Sequence, residues 1–191
     1  MPVKSSGYLM RAGRRLRRLL RLRRFRRDED GATAVEFGFV IAPFLAIMFA
    51  ILETAIVFFA GQTLETAVGD SARLIMTGQA QAQSFNAAQF KTSVCSKIYG
   101  LFDCTKIKID VRAYSSFAIA DMTPPMDSGE VSANLSYNPG GPGDIVVVRV
   151  MYEWPIRLSF LSSDIKFNLS NMSGGRRLIT ATAAFQNEPY L

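Results

Sequence analysis

The sequence contains no histidine and only two cysteines among its 191 residues. Without histidine it lacks the commonest general base of enzymes and the commonest metal-ligating side chain. The spacing of Cys95 and Cys104 does not match a redox C-x-x-C motif, and a metal site would need further ligands. We therefore expect no enzymatic activity, no cofactor, no metal and no small-molecule substrate.

Charge is also nearly absent from one long stretch of the chain. From Phe37 to Phe59 the only charged residue is Glu53. A helix of about 23 residues is about 35 Å long, which is enough to cross a bilayer core with some tilt. A cleaved secretory signal fits less well, because the apolar run is too long for the apolar part of a signal peptide and no convincing A-x-A cleavage site follows it. The stretch predicts a transmembrane helix.

The net charge of +6 is distributed unevenly. Residues 1–30 hold ten arginines and one lysine against three acids, whereas residues 32–191 carry a net charge of −2. Basic residues beside a membrane span usually set its orientation, although such a flank can also lie on anionic lipid. We expect no nucleic-acid partner. We expect the leader to be cytoplasmic and residues beyond about 61 to be on the other side of the membrane.

A short motif, Gly31-Ala32-Thr33-Ala34-Val35-Glu36-Phe37, lies where the basic leader meets the apolar run. If the chain were cut between Gly31 and Ala32, Glu36 would be the fifth residue of the new N-terminus. A carboxylate at the edge of a membrane helix is costly unless it is paired. The new α-amino group, its own or a neighbour's, would supply the partner. The motif predicts a processed subunit whose Glu36 and Phe37 take part in assembly.

Two residues interrupt the apolar run. Pro43 removes a helix hydrogen bond and could kink the span, but membrane helices also tolerate proline. Glu53 is expected either to reach the outer interface or be protonated, or to contact a partner helix. Since Glu36 and Glu53 are 17 positions apart, they point to different faces and are not expected to serve one site.

These residues resemble a known family. The pattern G-x-x-x-x-E-F at a basic-to-apolar boundary resembles the prepilin peptidase site of type IV pilins and pseudopilins. Over a longer stretch the sequence resembles the TadE-like pseudopilins of tight-adherence (Tad/Flp) pilus systems. The further segments that carry this resemblance are Pro43, Ile51-Leu52-Glu53, Ser71-Ala72-Arg73-Leu74, Pro142-Gly143-Asp144-Ile145-Val146, Val148-Arg149-Val150, Trp154-Pro155 and Ala184-Phe185-Gln186-Asn187-Glu188-Pro189-Tyr190.

The resemblance implies a minor pilin-like subunit of the bacterial inner membrane that is cut after Gly31 by a prepilin peptidase. Its implied partners are membrane lipid, that peptidase, other pilin-like subunits and the pilus assembly platform. The domain plan is then a basic cytoplasmic leader (1–31), a transmembrane helix (32–60) and an extracytoplasmic, periplasmic domain (61–191). The alternative is an uncleaved, signal-anchored binding domain that keeps its leader.

The outer domain is predicted to be α+β and pilin-like, with the helix continuing onto an antiparallel sheet. Leu64, Val68, Ala72 and Ile75 recur at helical spacing and are expected to face the core, and the helix is expected to end around Gly78. The predicted strands are a half-exposed strand around Ile107–Arg112, a weaker one at Glu130–Tyr137, a central one at Ile145–Tyr152 and a final one at Ile179–Phe185.

Two shorter features complete the outer domain. Asn138–Asp144 reads as a turn-rich loop, either a plain connection between strands or a partner-docking surface. Cys95 and Cys104 enclose eight residues, and outside the cytoplasm such a pair is expected to be oxidised.

Overall fold

A computed structural model describes residues 29–98, 100–157 and 169–189 of the chain. Most of the predicted leader lies outside these residues. The helices are α1 (Glu29–Met76), α2 (Gln79–Ala82) and α3 (Ala87–Cys95), and the strands are β1 (Lys108–Tyr114), β2 (Met126–Asp127), β3 (Glu130–Val131), β4 (Ile145–Pro155) and β5 (Arg176–Gln186). Short 3-10 turns cover Cys104–Lys106, Phe117–Ile119 and Ser173–Gly175. The predicted α+β class is confirmed.

The chain divides into two compact units, and the boundary falls between Phe49 and Ala50, inside α1. In the first unit the described side chains of α1 are mostly exposed, including large apolar ones such as Phe37, Phe39 and Phe44. A helix that is apolar on all sides fits a lipid environment rather than an aqueous one. By length and composition, α1 is the one helix of the described residues that could cross a membrane.

In the second unit α1 becomes amphipathic and packs onto a sheet. Its buried residues recur every three or four positions: Val57, Ala60, Leu64, Ala67, Val68, Ala72 and Ile75. This spacing keeps one stripe of the helix against the core. The predicted core positions Leu64, Val68, Ala72 and Ile75 are confirmed, and α1 ends at Met76, just before Gly78 adopts a left-handed φ of 76°.

The sheet has the strand order β1-β4-β5 and is antiparallel throughout. β4 lies in the centre, as its lack of alternation predicts, and Ile145 to Tyr152, including the charged Arg149, are all buried. Alternate residues of β4, namely Val146, Val148, Val150 and Tyr152, share the core with α1. On the opposite face Met151 packs with Val131 and Met172.

Two predictions about the strands on that second face were wrong. Glu130–Tyr137 is not one strand: only Glu130–Val131 pairs, with Met126–Asp127, and a single bridge then joins Tyr137 to Val111. β1 is not half-exposed, because Asp110 is completely buried. Residues 121–136 bond to the side chains of Asp110, Arg112 and Arg149 and remove Asp110 from solvent, whereas Tyr137 lies beside Val111 at the edge of β1 and packs against the main core.

Two helices are absent from the sequence prediction, the single-turn α2 and the longer α3. α3 begins with a capping box in which Asn86 Oδ1 accepts from Gln89 N–H and Gln89 Oε1 accepts from Asn86 N–H, both at 2.9 Å. Such reciprocal bonds satisfy N–H groups that the first helical turn leaves free. Phe90 and Val94 then bury the apolar side of α3. The N-x-x-Q spacing of Asn86 and Gln89 could have indicated this helix start from the sequence alone.

Candidate functional site

The predicted processing motif lies on the exposed surface of α1. Residues 31–37 are helical and exposed, and a Cβ added at Gly31 would meet no atom within 4 Å. Glu36 is one turn beyond Ala32, about 6 Å along the axis. The neighbouring side chains Val35, Phe37 and Phe39 are large and apolar, and each is more than half exposed. The motif therefore presents a carboxylate on an otherwise apolar helical surface.

Pro43 lies within α1, and the helix continues through it. Proline has no N–H to donate to the carbonyl four residues earlier, so the carbonyl of Phe39 loses that helical partner. The Pro43 side chain is exposed. Both sequence interpretations of Pro43, a kink or simple tolerance, stay predictions.

Glu53 is half-buried and contacts the protein's own outer domain. Its Oε1 accepts a hydrogen bond from the backbone N–H of Arg157 at 2.5 Å, just after β4 ends. Glu53 lies on the same helical face as Val57 and Ala60, which begin the core stripe of α1. Contacts between α1 and the domain thus begin within the predicted span, about two turns before Phe59. A contact of Glu53 with a partner helix stays a prediction.

The two cysteines form a disulfide in the structure. Cys95, at the end of α3, is joined to Cys104, at the start of the turn that leads to β1, and their Cα atoms are 6.0 Å apart. That separation lies in the ordinary range for such bonds. Next to the bond, Phe102 packs edge-on against Tyr152 of β4, with ring centroids 5.0 Å apart. The disulfide therefore joins the end of α3 to the turn before β1, close in sequence to Phe102, which packs on Tyr152.

Sequence reasoning missed a buried charge cluster at the centre of the sheet. Asp110 of β1 and Arg149 of β4 are directly opposite in the register, and their side chains are 0% and 2% exposed. Asp110 also accepts from Arg112 Nε at 3.1 Å and from the Ser136 backbone N–H at 2.9 Å. The alternation of β1 places Asp110 on one face, but only the covering segment makes that face buried.

The same cluster holds the covering segment in place. Arg149 Nη1 donates to the carbonyls of Asp121 and Thr123 at 3.2 and 2.5 Å. Arg112 Nη2 donates to the Asn134 carbonyl at 3.2 Å. A buried guanidinium needs partners for most of its N–H groups, and backbone carbonyls of the irregular segment supply them. The cluster is therefore a structural anchor.

The turn-rich loop at Asn138–Asp144 is held by two side-chain amides, those of the half-buried Gln81 and the buried Asn187. Gln81 Nε2 and Asn187 Nδ2 both donate to the Pro139 carbonyl, at 3.0 and 2.9 Å, and Asn187 Nδ2 also reaches the Gly141 carbonyl at 3.0 Å. The next residue, Glu188, donates its backbone N–H to the Met76 carbonyl at 2.8 Å, at the end of α1. Through these bonds Asn187 and Glu188, which follow β5, join the loop to the end of α1. Both residues belong to the C-terminal segment that carries the family resemblance.

Four ionisable groups of the domain have pKa values that depart clearly from their ordinary ones. Hydrogen bonds from Thr105 and Thr123 hold the carboxyl pKa values of Asp103 and Asp121 below their usual range, and one from Ser173 does the same for Glu130. Burial raises the pKa of Tyr137. A general acid needs a raised carboxyl pKa, which is the opposite shift. Over the described residues, no three His, Cys, Asp or Glu side chains are grouped as metal ligands.

Residues 31–73 match the model of a protein family described as TadE-like protein. This is a pilus-related structural family rather than a family of enzymes, and the match covers the processing motif, Pro43, Glu53 and most of the core stripe of α1. The resemblance seen in the sequence is thereby confirmed over these residues. No curated protein matches the chain, and no solved structure matches it.

Proposed function

Because α1 carries the sequence of the TadE-like family over residues 31–73, we propose that the protein is a minor pilin-like subunit needed to assemble a Tad/Flp-type adhesive pilus. In this proposal the leader stays cytoplasmic, the apolar part of α1 spans the inner membrane and the outer domain is periplasmic. A prepilin peptidase cuts between Gly31 and Ala32. The observation that carries the proposal is an exposed carboxylate, Glu36, on a membrane-length apolar helix.

Cleavage changes the electrostatics of this helix end. The new α-amino group has an ordinary pKa near 8 and is mostly protonated at neutral pH. Four residues further along the helix, the carboxylate of Glu36 is at the membrane edge, where an unpaired charge is costly. An ammonium group next to it relieves part of this cost. When the ammonium group belongs to a neighbouring subunit, the pair also sets the axial register between the two helices.

We adjust the proposed domain plan of 1–31, 32–60 and 61–191 at its outer membrane boundary. Since the Glu53 carboxylate accepts a hydrogen bond from the backbone N–H of Arg157, we place the outer membrane boundary close to Glu53 rather than at residue 60. The half-buried carboxylate then lies where water and protein meet. On the far side of α1, Ile56, Phe58 and Phe59 remain exposed and apolar, which suits contact with another pilin-like helix.

The first test is the N-terminal sequence of the protein extracted from membranes of cells with and without the prepilin peptidase. We expect a start at Ala32 that depends on the peptidase. A chain that keeps its arginines in both strains would contradict the proposal and favour an uncleaved, signal-anchored binding domain.

The second test concerns Glu36 itself. Glu36→Ala and the isosteric Glu36→Gln should both be cleaved normally and should both reduce pilus number, because each removes the charge. Glu36→Asp is the matched control that keeps the charge, and it should retain more assembly. Pili at normal number in Glu36→Gln cells would show that the charge pairing is unnecessary.

A further inference from the structure

The end of β4 lies beside the part of α1 where the apolar span ends. The Glu53 carboxylate accepts from the Arg157 backbone N–H at 2.5 Å, just after β4. Higher on the helix, a Cβ added at Gly61 would lie 3.9 Å from Ile179 Cγ2, and Ile179 is opposite Tyr152 in the sheet register. The residues of β4 that follow Tyr152 therefore lie between the levels of Gly61 and Glu53.

Trp154 is one of these residues, and it is the single tryptophan of the chain. It is half-buried at the margin of the core between α1 and the sheet. Its ring packs edge-on against Phe102, with ring centroids 5.9 Å apart. An indole has a large apolar body and one N–H donor, so tryptophan is enriched where hydrocarbon and water meet at a membrane.

Two arginines at the same end of the sheet form no ion pair within the described part of the chain. Arg157 is exposed, and its bond to Glu53 uses only the backbone N–H. Arg177 is directly opposite Trp154 in the register. Its Nη1 donates to the Leu169 carbonyl at 2.9 Å, which leaves other N–H groups of the guanidinium for a further acceptor.

The acids near these arginines are engaged with other bases. Glu153 is paired with Lys108 at 2.8 Å and with Arg176, and Glu130 is paired with Arg176 at 2.5 Å. Positions 158–168 contain one aspartate and one lysine, so they leave the balance of charge unchanged. The guanidinium groups of Arg157 and Arg177 are therefore suited to an anion from outside the chain.

We infer that Trp154, Arg157 and Arg177 bind the lipid head groups of the membrane that α1 spans. The Trp154 indole lies at the interface, and the two guanidinium groups bind phosphate oxygens of lipids in the adjoining leaflet. A guanidinium group matches phosphate oxygens in bidentate geometry. Since both side chains are cationic, the contact favours anionic lipids such as phosphatidylglycerol over zwitterionic ones.

The bilayer is the occupant because α1 itself enters it at this level. The head-group layer extends about 5–7 Å beyond the hydrocarbon core on each side. The four residues of α1 that follow Glu53 rise about 6 Å, so Trp154 and Arg177 lie within the depth of that layer. This step rests on the proposed single-pass anchor, with its outer boundary near Glu53.

The test reads the fluorescence of Trp154 in the full-length protein, reconstituted into vesicles of phosphatidylcholine and phosphatidylglycerol. Lipids carrying a nitroxide either at the head group or at the end of the acyl chain quench a nearby indole. We expect the head-group label to quench Trp154 severalfold more strongly than the chain-end label. Quenching by neither label, or stronger quenching by the chain-end label, would overturn the inference.

Variants of the two arginines test the preference for anionic lipid, measured as quenching by labelled phosphatidylglycerol relative to labelled phosphatidylcholine. Arg157→Gln/Arg177→Gln should lower this preference on the order of fivefold for each arginine, although the backbone bond to Glu53 remains. Arg157→Lys/Arg177→Lys keeps the charge and should retain most of it. Arg73→Gln removes the same charge from the exposed far end of α1 and is the matched control, with no expected effect.

An unchanged preference in the double glutamine variant would overturn the role of the arginines. If that variant does not fold, the single variant Arg157→Gln, whose side chain is exposed, decides the question. Carbonate extraction of the vesicles tests the anchor separately. Protein that resists extraction but shows unquenched Trp154 overturns this inference and leaves the proposed function standing, whereas protein that is extracted contradicts both.

Discussion

Arg149 and Asp110 face each other across the centre of the sheet, with Arg149 Nη2 lying 2.5 Å from Asp110 Oδ2. Both side chains are buried, and backbone groups of the segment that covers them supply further hydrogen bonds to each. The pair thus helps to set the position of residues 121–136 on this face of the sheet, together with the apolar cluster of Val131, Met151 and Met172.

Removing one partner of this pair should strongly destabilise the domain. Asp110→Ala leaves a buried guanidinium without its carboxylate and is expected to lower the free energy of unfolding by about 3–5 kcal/mol. Urea unfolding of the full chain in detergent would measure this. The exposed Asp127→Asn is the matched control and should cost less than about 0.5 kcal/mol. The double variant Asp110→Ala/Arg149→Met should recover part of the loss, and strictly additive losses would contradict the coupling.

The disulfide should stabilise the domain by restricting its unfolded state. Cys95 and Cys104 close a loop of eight intervening residues, for which the chain-entropy model gives about 2–3 kcal/mol. The variant Cys95→Ser/Cys104→Ser should lose about that much in urea unfolding. Wild-type protein reduced by dithiothreitol should show a similar loss, whereas the double serine variant should not respond to the reductant.

Glycines in the loop at Asn138–Asp144 should differ in their tolerance of alanine. Gly140 has a φ of +66°, and an added Cβ would lie 3.0 Å from Ala113 Cβ and 3.1 Å from Asp144 Cβ. Gly143 shares the positive φ, at +81°, but has open space around it, while Gly141 has no positive φ and no contact closer than 3.8 Å.

Thermal unfolding of these three variants should follow that order. Gly140→Ala combines strain and overlap and should cost about 2–4 kcal/mol; Gly143→Ala has only strain and should cost about 1–2 kcal/mol. Gly141→Ala should be near neutral. Equal losses for Gly140→Ala and Gly143→Ala would show that the close approach to Ala113 is unimportant.

The carboxyl of Asp121 should titrate below its ordinary pKa of 3.8, mainly because Thr123 donates to it from its hydroxyl and its backbone N–H, at 2.7 and 2.9 Å. A group whose folded pKa is lowered stabilises the fold above its unfolded pKa, and this contribution disappears as the pH falls through the folded value. Stability should therefore decrease below about pH 4.

Thr123→Ala removes the hydroxyl and should raise the pKa of Asp121 towards its ordinary value, as NMR titration of the carboxyl carbons would show. Asp103 is an internal control in the same sample, since its lowered pKa depends on Thr105 instead. An unchanged titration of Asp121 in Thr123→Ala would show that the hydroxyl is not the main cause.

Residues with strong local patterns were predictable. The stripe of Leu64, Val68 and Ile75 follows from helical periodicity, and the central position of β4 follows from its lack of alternation. The processing motif was recognisable because it lies between a basic leader and an apolar run, and residues 31–73 match the family. Cleavage after Gly31 and the roles of Glu36, Phe37 and Pro43 stay predictions.

Other features depend on contacts between distant segments. Glu130–Tyr137 alternates weakly like a strand, yet it forms only the short β3 because Ser136 and Asn134 bond to Asp110 and Arg112 instead. Glu53 reads as a residue of the span, but its carboxylate contacts Arg157, 104 residues later. Sequence spacing holds no information about such partners.

The sequence by itself determined the long apolar helix, its basic leader, the α+β class and the residues that face the core along α1 and β4. These properties depend on short-range periodicity and composition, which act within one element. Only the tertiary structure decided that Asp110 is buried, that Arg149 holds an irregular segment over the sheet, and that Glu53 accepts a hydrogen bond from Arg157. Those outcomes depend on which distant backbone groups meet, because a polar group is stable inside a protein only where such partners surround it.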